Sequence, residues 1–288
     1  MNQFSDTPQT DPEKARVHLL PVPLEQSVSY GGGTARGPAA ILEASYQLEN
    51  YDREFDSEPG LEFGIFTHPS MELPADQDQA LERIAGKVAE IYRPDRFLGI
   101  LGGEHSLTEG VVQGLLRVVP DQLTIVQIDA HCDLRDQYED NPRSHACVAR
   151  RLLDSDRVEQ ILQFGIRSLC VEEAEVLKSE PRVSAWYTEH VQAGDHLQPL
   201  AEKIRGKTVF LTLDVDGFDP ALVPSTGTPE PDGLSYRQVE EIVRLVIKES
   251  RLLAFDCVEL APIEGLHGPD FLVAKLLYKL MCLRLTSP

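Results

Sequence analysis

Short apolar runs, separated by stretches with helical spacing, recur along most of this chain of 288 residues. The apolar runs are bounded by turn-forming residues and span residues 17–22, 61–66, 96–101, 123–129, 159–166, 183–187, 208–216 and 251–260. The stretches with helical spacing include residues 37–51, 79–92, 107–118, 144–153 and 235–249. This alternation predicts an α/β fold with three αβα layers, in which a mainly parallel, eight-stranded sheet carries helices on both faces.

The length and composition favour a single large domain. With 42% hydrophobic residues, 288 residues suffice for one such domain and are few for two well-packed ones. We expect residues 17–288 to form that domain and the polar residues 1–16 to be a flexible N-terminal segment. No apolar stretch reaches the ~18 residues that a membrane span requires, and the polar start does not resemble a signal peptide. We therefore expect a cytoplasmic protein with no membrane partner.

The chain is strongly acidic, with 27 Lys and Arg residues against 47 Asp and Glu residues and a formal net charge of -20. This charge opposes phosphate backbones, so we expect no nucleic-acid partner, and it favours cationic small molecules. Much of the surplus acid equally serves solubility on exposed helix faces. The five cysteines form no CxxC pair, which is typical of a reducing compartment. Cys132 is predicted to lie in the core.

Six potential metal ligands lie in three segments that each follow an apolar run. They are His105 in GGEHS, Asp129, His131 and Asp133 in DAHCD, and Asp214 and Asp216 in DVD. Ligands of open α/β sheets collect at the carboxyl ends of the strands, where these segments are expected to meet. If the strands stay extended, the alternating positions in DAHCD and DVD project their side chains the same way.

This combination of residues predicts a metal site. Alone, each aspartate also suits a helix N-cap or a turn, and a single histidine suits a structural hydrogen bond. Four carboxylates at one edge, however, raise one another's pKa values unless cations neutralise them, which predicts more than one ion. Mixed imidazole and carboxylate ligands suit manganese, iron, zinc or nickel better than calcium, and the absence of thiolates argues against a structural zinc.

The motifs GGEHS, DAHCD, SHA, DVDGFDP, STGTPEP and DCVELAP, in this order, resemble those of the ureohydrolases, the family of arginases and agmatinases. The resemblance runs from about residue 21 to residue 279 and is closest to bacterial and archaeal agmatinases, through the LRDxY, SHA and TGTPEP segments. It implies an arginase-like fold and a homo-oligomer, a trimer or hexamer. Two departures are Glu104, where Asp is usual, and Asp232, where Gly is usual. We expect Glu104 to leave metal binding intact and Asp232 to affect the fit of the substrate.

The resemblance also implies two manganese(II) ions per chain. By matching motif positions, Asp129 and Asp214 would bridge the ions, His105 and Asp133 would complete one, and His131 and Asp216 the other. Such a pair leaves room for a shared hydroxide that attacks a guanidinium carbon.

Further site residues follow from the same resemblance. Glu259 would hold the guanidinium of a small cationic substrate, Asp133 would pass a proton to the departing amine, and His145 would carry protons between site and solvent. Thr228 would lie near the guanidinium. Simpler roles stay open: a strand-end glutamate for Glu259, a surface histidine for His145 and turn geometry for Thr228.

The substrate is predicted from the loop of residues 134–144, LRDQYEDNPRS, which should cover its far end. The loop is net acidic and suits a terminal ammonium, so agmatine, split to putrescine and urea, is the first choice. Arg135 or Arg143 could instead grip a carboxylate, favouring guanidinobutyrate, guanidinopropionate or formimidoylglutamate, and arginine is a further ureohydrolase substrate. Two alternatives are a metal-dependent deacylase with a single zinc and a non-catalytic relative. The complete set of ligands, with His145 and Glu259, disfavours both.

Overall fold

The computed structural model describes residues 3–6 and 10–286. In these ranges one parallel sheet is formed by β1 (Val17–Val22), β2 (Ile65–Thr67), β3 (Phe97–Gly102), β4 (Leu123–Ile128), β5 (Val158–Ile166), β6 (Val183–Tyr187), β7 (Thr208–Asp214) and β8 (Arg251–Val258). The strand order is β2-β1-β3-β8-β7-β4-β5-β6, and every neighbouring pair is parallel. The predicted sheet of eight strands is confirmed.

Helices connect these strands and cover the sheet. The described residues form α1 (Gly37–Ser45), α2 (Pro59–Phe63), α3 (Gln77–Ile91), α4 (Leu107–Val118), α5 (Val148–Leu152), α6 (Val171–Ser179), α7 (Thr188–Ala193), α8 (Leu197–Ile204), α9 (Tyr236–Glu249) and α10 (Gly268–Thr286). Apolar side chains of α1, α8, α9 and α10 share one core with the strands, and those of α3, α4 and α5 share another. Adjacent strand residues such as Leu19 and Leu20 enter different cores, so the cores lie on opposite faces. The three-layer αβα prediction is confirmed.

Local sequence explains where several helices begin. The Asp76 side chain accepts a hydrogen bond from the Gln79 N–H and caps α3. At α9, Ser235 and Gln238 form a capping box, in which each side chain bonds the backbone N–H of the other. The central strands β4 and β7 are buried at every residue because helices cover both faces of the sheet.

The structure corrects several predicted boundaries. Residues 61–66 were expected to form a strand, but α2 occupies the first half of this run. Pro59 suits the first turn of that helix, and Gly64, with a φ of 68°, ends it before the short β2. The predicted helix 37–51 ends at Ser45, and in the predicted helix 144–153 a 3-10 turn, His145–Cys147, precedes α5. Further helices, including α6 and α10, lie outside the segments named from the sequence.

Part of the N-terminal segment packs against the domain. Phe4 is buried in the core that contains α1, and the backbone N–H of Ser5 donates to Ser45 Oγ at 2.8 Å. These contacts attach residues 4 and 5 to the domain. Residues 1, 2 and 7–9 lie outside the described residues, and the predicted flexibility of the segment otherwise stays a prediction. Among the described helices, none has the length and apolar character needed to cross a bilayer.

The strand order places the candidate site. Strands β3, β8, β7 and β4 are adjacent at the centre of the sheet and parallel, so their carboxyl ends meet at one edge. His105 follows β3, Asp129 follows β4, Asp214 ends β7 and Glu259 follows β8. Four sequence segments that are far apart in the chain therefore converge at one place.

Candidate active site and metal centre

All six predicted metal ligands lie together at this edge. The structure forms two overlapping groups of candidate ligands, one of His105, Asp129 and Asp214, the other of Asp129, His131 and Asp216. Within each group the ligand atoms lie within 4.8 Å of one another, and Asp129 belongs to both groups. The geometry therefore suits two neighbouring cations that share a carboxylate.

His105 faces three carboxylates. Its Nδ1 lies 3.1 Å from an Oδ2 atom of each of Asp129, Asp133 and Asp214, and its side chain is only 1% exposed. This Nδ1 has no hydrogen-bond partner, whereas Nε2 lies 2.8 Å from Thr212 Oγ1. When Nε2 carries the proton and donates it to Thr212, the lone pair of Nδ1 faces the carboxylates. A histidine that binds a metal through Nδ1 needs this arrangement.

The second group forms around His131. Its Nδ1 lies 2.9 Å from Asp216 Oδ2 and 3.6 Å from Asp129 Oδ1. The side chain is 25% exposed and lines the cleft, so this half of the cluster is nearer to solvent than His105 is.

The strands do not stay extended through these segments. Strand β4 ends at Ile128, and Asp133 adopts a left-handed conformation with a φ of 52°. Asp216 lies in a 3-10 turn, where its N–H donates to Asp214 Oδ1 at 2.9 Å. The N–H of His131 likewise donates to Asp129 Oδ1 at 2.6 Å. Turns closed by the aspartates themselves, rather than strand alternation, bring the ligands together.

Cys132 is buried in the core, as predicted.

The electrostatics of the cluster call for cations. Burial and the charge of Asp129 raise the pKa of Asp133 to about 7, and burial and Asp216 raise the pKa of Asp214 well above its usual range. Burial opposes protonation of His131, but the neighbouring Asp216 and Asp129 raise its pKa to about 12. Raised pKa values of both carboxyl and imidazole groups are expected in a buried site with surplus negative charge. Imidazole and carboxylate donors with an unpartnered Nδ1 fit divalent metal ions.

Two glutamines and an arginine that were not predicted support the ligands. Gln127 Nε2 donates to Asp129 Oδ2 at 2.8 Å, and Gln163 Nε2 donates to Gln127 Oε1 at 3.0 Å. Arg167 donates to the carbonyl of Asp216 at 2.7 Å and to neighbouring carbonyls of residues 165, 218 and 230. The sequence carries no spacing signal for these residues, because a single glutamine inside a strand has many structural uses.

A cleft of about 220 Å³ opens over the cluster. Glu259, His145 and Thr228 all line it, together with His105, Asp133 and Asp216. Glu259 is buried in a left-handed conformation with a φ of 64°, and its Oε1 accepts the backbone N–H of His105 at 2.6 Å. Burial raises the pKa of Glu259 well above its usual range, so a cation bound beside it would restore its charge.

His145 begins the 3-10 turn at the end of the loop 134–144. Its backbone N–H donates to Ser27 Oγ at 2.9 Å. Burial lowers the pKa of its imidazole, although the charge of Glu104 opposes the shift. A histidine with a lowered pKa is neutral at pH 7 and can accept a proton.

The sequence predicted that the net acidic loop 134–144 covers the outer part of the cleft, and the structure differs in which charged residues lie there. Asp136 pairs with Arg150 and Arg151 and does not line the cleft. Arg143 pairs with Glu109 and Asp78, so it does not face the substrate space.

The charged groups that do line the outer cleft are Arg135 and Glu173. Arg135 lies over the Tyr138 ring, 5.0 Å from its centroid, and its Nε is 4.0 Å from Glu173 Oε2. Tyr30, which is 87% exposed, forms part of the rim.

The family model described as Arginase family matches residues 15–283. The chain belongs to the arginase family. Similar members include the N(1)-aminopropylagmatine ureohydrolase of Synechocystis sp., 36% identical over 93% of this chain and 88% of the relative. The agmatinase of Bacillus cereus is 34% identical over 87% of this chain and 85% of the relative.

A solved structure supports the same assignment. The agmatine ureohydrolase of Thermoplasma volcanium superposes with a TM-score of 0.84 at 29% identity, covering 96% of this chain and 92% of that one. The fold is therefore that of the arginase family, as the sequence predicted, and the chain is a hydrolase of the ureohydrolase type.

The two departures from the family pattern have different places in this arginase-family structure. Asp232 has a φ of 61°, a conformation that glycine adopts freely and aspartate with less strain than most residues. Its Oδ1 accepts a hydrogen bond from Gln192, and it does not line the cleft, so the expected effect on substrate fit has no direct contact to support it. Glu104 is fully buried beside the site and is bound by backbone and hydroxyl donors.

Proposed function

We propose that this chain hydrolyses the guanidinium group of a linear guanidinobutyl amine to urea and an amine, with agmatine giving putrescine as the simplest case. The observation that carries the proposal is the position of Glu259 in the same cleft as the two groups of candidate metal ligands. One carboxylate oxygen is held by His105, and Oε2 lies beside Gly227 of the cleft wall. A buried carboxylate with a free oxygen is suited to a planar cation such as guanidinium.

The proposed cofactor is a pair of manganese(II) ions held by the six predicted ligands. Asp129 would serve both ions because it belongs to both ligand groups. When bound, two divalent cations lower the pKa of water and so supply a nucleophile at neutral pH.

The residues of the chain would carry the other steps. Glu259 orients the guanidinium carbon above the ligand cluster. Asp133, 3.1 Å from His105 through one oxygen, has a second carboxylate oxygen that can pass a proton to the departing amine. His145, neutral at pH 7, exchanges protons between the cleft and solvent. Thr228 lines the cleft and offers a hydroxyl to the guanidinium.

The charges of the cleft favour a substrate without a carboxylate. Of the described residues that line it, Arg135 is the one arginine, and it lies beside Glu173 and the Tyr138 ring. Arg143, the other residue considered for a carboxylate, is engaged by Glu109 and Asp78. Guanidinobutyrate, guanidinopropionate, arginine and formimidoylglutamate are therefore weaker candidates than an amine.

A second candidate substrate is N(1)-aminopropylagmatine. Four similar proteins named for it are 35 to 37% identical to this chain, and four similar proteins named agmatinase are 32 to 34% identical. Agmatine and N(1)-aminopropylagmatine share the guanidinobutyl group. They differ in the aminopropyl group that the second compound carries on the terminal amine. The outer cleft, where Tyr30 is exposed at the rim, is where an aminopropyl extension would lie.

A substrate panel tests the proposal. Protein loaded with manganese is assayed for urea release from agmatine, N(1)-aminopropylagmatine, guanidinobutyrate, guanidinopropionate, arginine and formimidoylglutamate, the last assayed for its own amide product. We expect the highest kcat/KM for one of the two amines. A preference for any carboxylate-bearing compound contradicts the proposed substrate class. One metal per chain, with no guanidine hydrolysis in the panel and acetate release from an N-acetylated polyamine assayed in parallel, points instead to the deacylase alternative. Assembly as a trimer or hexamer and a cytoplasmic location stay predictions.

A further inference from the structure

Glu104 is a buried carboxylate whose two oxygens accept four hydrogen bonds. Oε2 accepts the backbone N–H groups of Gln26 and Ser27, both at 2.6 Å. Oε1 accepts the hydroxyls of Ser27 at 2.9 Å and of Ser106 at 2.5 Å. A buried carboxylate is costly unless such donors surround it, and charge-assisted hydrogen bonds are among the strongest in proteins. The segment of residues 26–27 is therefore held firmly to the loop that follows β3.

Ser27 passes this constraint on to His145. The Ser27 hydroxyl donates its single proton to Glu104, so the lone pairs of Oγ remain for another donor. The backbone N–H of His145 donates to this oxygen at 2.9 Å, and His145 Nδ1 lies 3.4 Å from it. The direction of these two hydrogen bonds is thus set: His145 donates to Ser27, and Ser27 donates to Glu104.

The other contacts of His145 are local: its carbonyl accepts the N–H of Val148, and its Nδ1 also lies 3.4 Å from Ser144 Oγ. Gln77 Nε2 donates to the carbonyl of Arg143 at 2.7 Å, and Ser144 Oγ accepts the N–H of Ala146 at 3.4 Å. The same loop contains two residues in left-handed conformations, Glu139 and Asp140. Among the described residues, Ser27 is therefore the hydrogen-bond partner of the His145 backbone that lies outside its own loop and turn.

We propose that Ser27 and Glu104 are positioning residues for His145, with the Ser27 hydroxyl as the link between them. This inference rests on the proposed function, because it assumes that His145 transfers protons in the cleft. A proton carrier acts only when its nitrogen comes within hydrogen-bond reach of the reacting group, and small displacements lower the rate strongly. Loss of the link lets the start of the 3-10 turn move and carries the imidazole away from the cleft.

The test compares four variants by hydrogen exchange and by steady-state kinetics of the manganese-loaded enzyme. Ser27→Ala removes the link, and Ser27→Thr keeps the hydroxyl. Ser106→Ala is the matched control, because it removes another hydroxyl donor to the same Glu104 oxygen without touching His145. Thermal melting verifies that each variant is folded.

We expect exchange of the His145 amide to become about tenfold faster in Ser27→Ala, since its acceptor is lost. In the same variant kcat should fall about tenfold with KM within about twofold, as a displaced acid–base group predicts. Ser27→Thr should recover both values, and Ser106→Ala should leave both near those of the unchanged protein. Glu104→Asp, which is one methylene shorter, should give intermediate values and serves if Ser27→Ala does not fold.

Two results overturn the inference: unchanged exchange at His145 in Ser27→Ala, or faster exchange with an unchanged kcat. Failure of the proposed function appears differently, as an absence of guanidine hydrolysis in the unchanged protein across the whole substrate panel. In that case the exchange data still establish whether Ser27 anchors His145.

Discussion

Glu259 Oε1 and the backbone nitrogen of His105 are 2.6 Å apart and share a hydrogen bond. This contact joins the loop after β8 to the loop after β3. The residue proposed to hold the guanidinium is thereby positioned by the same loop that carries a candidate metal ligand, so cation and substrate sites are built as one unit.

Replacement of Glu259 by Gln should separate substrate binding from metal binding. The amide oxygen can still accept the His105 N–H, but the negative charge is lost. We expect kcat/KM to fall at least about 100-fold, the scale for a buried charge-assisted contact, with metal content unchanged. Urea assays and elemental analysis measure the two effects. Glu264→Gln, an exposed residue further along the same loop, is the control, and near-normal kcat/KM in Glu259→Gln would contradict the assigned role.

His131→Ala should reduce the metal content from about two ions per chain to about one. His131 belongs to one candidate ligand group, whereas the group around His105 stays intact. Turnover should be lost while the fold, followed by circular dichroism, survives. The exposed His267 provides a control substitution to Ala. Two tightly bound ions in His131→Ala would refute the assignment.

Gln127→Leu should weaken metal binding without removing a ligand. The Gln127 side chain donates to Asp129, the residue shared by both groups, and loss of such an outer hydrogen bond costs about tenfold in metal affinity. Titration of the metal-free protein with manganese measures the change. Gln160→Leu is the matched control, because Gln160 is a hydrogen-bonded strand residue whose partners, Thr124 and Lys203, lie outside the ligand cluster. Equal affinities in the two variants would remove Gln127 from the site.

His68 should make the protein less stable in mild acid. Burial is the main cause that lowers the pKa of His68 to about 4, and the neighbouring His18 ring is the second cause. His18 Nδ1 lies 2.9 Å from His68 Nε2. Between pH 6.5 and 4 the unfolded chain binds this proton more readily than the folded chain, so the free energy of unfolding falls as the pH falls.

We expect this contribution to be about 1 kcal/mol, well below the full shift, because the side chain is partly exposed to screening water. Urea denaturation of the unchanged protein and of His68→Gln at several pH values across this window measures it. The difference between the two proteins should change steadily from pH 6.5 to pH 4. A constant difference would show that His68 does not titrate as described.

Agreement between sequence and structure was closest where periodicity reflects burial. The predicted segments 17–22 and 107–118 coincide with β1 and α4. At residues 61–66 the apolar pattern was ambiguous, and Pro59 and Gly64 decided in favour of a helix. Short apolar runs contain too few residues to distinguish the two periods.

The sequence by itself determined the α/β alternation, the eight strands and the six candidate ligands. Strand periodicity and motif spacing are local properties that can be read without knowing which strands are neighbours. Tertiary structure decided how the ligands meet. Asp133 and Asp216 reach the cluster through turns, and Asp129 is shared because β4 lies beside β7. It also decided which outer charges face the cleft, since Arg143 is engaged by Glu109 and Asp78. The supporting contacts of Thr212 with His105 and of Ser27 with His145 join residues far apart in the chain, and these hydrogen bonds depend on distances that exist only after the strands have packed.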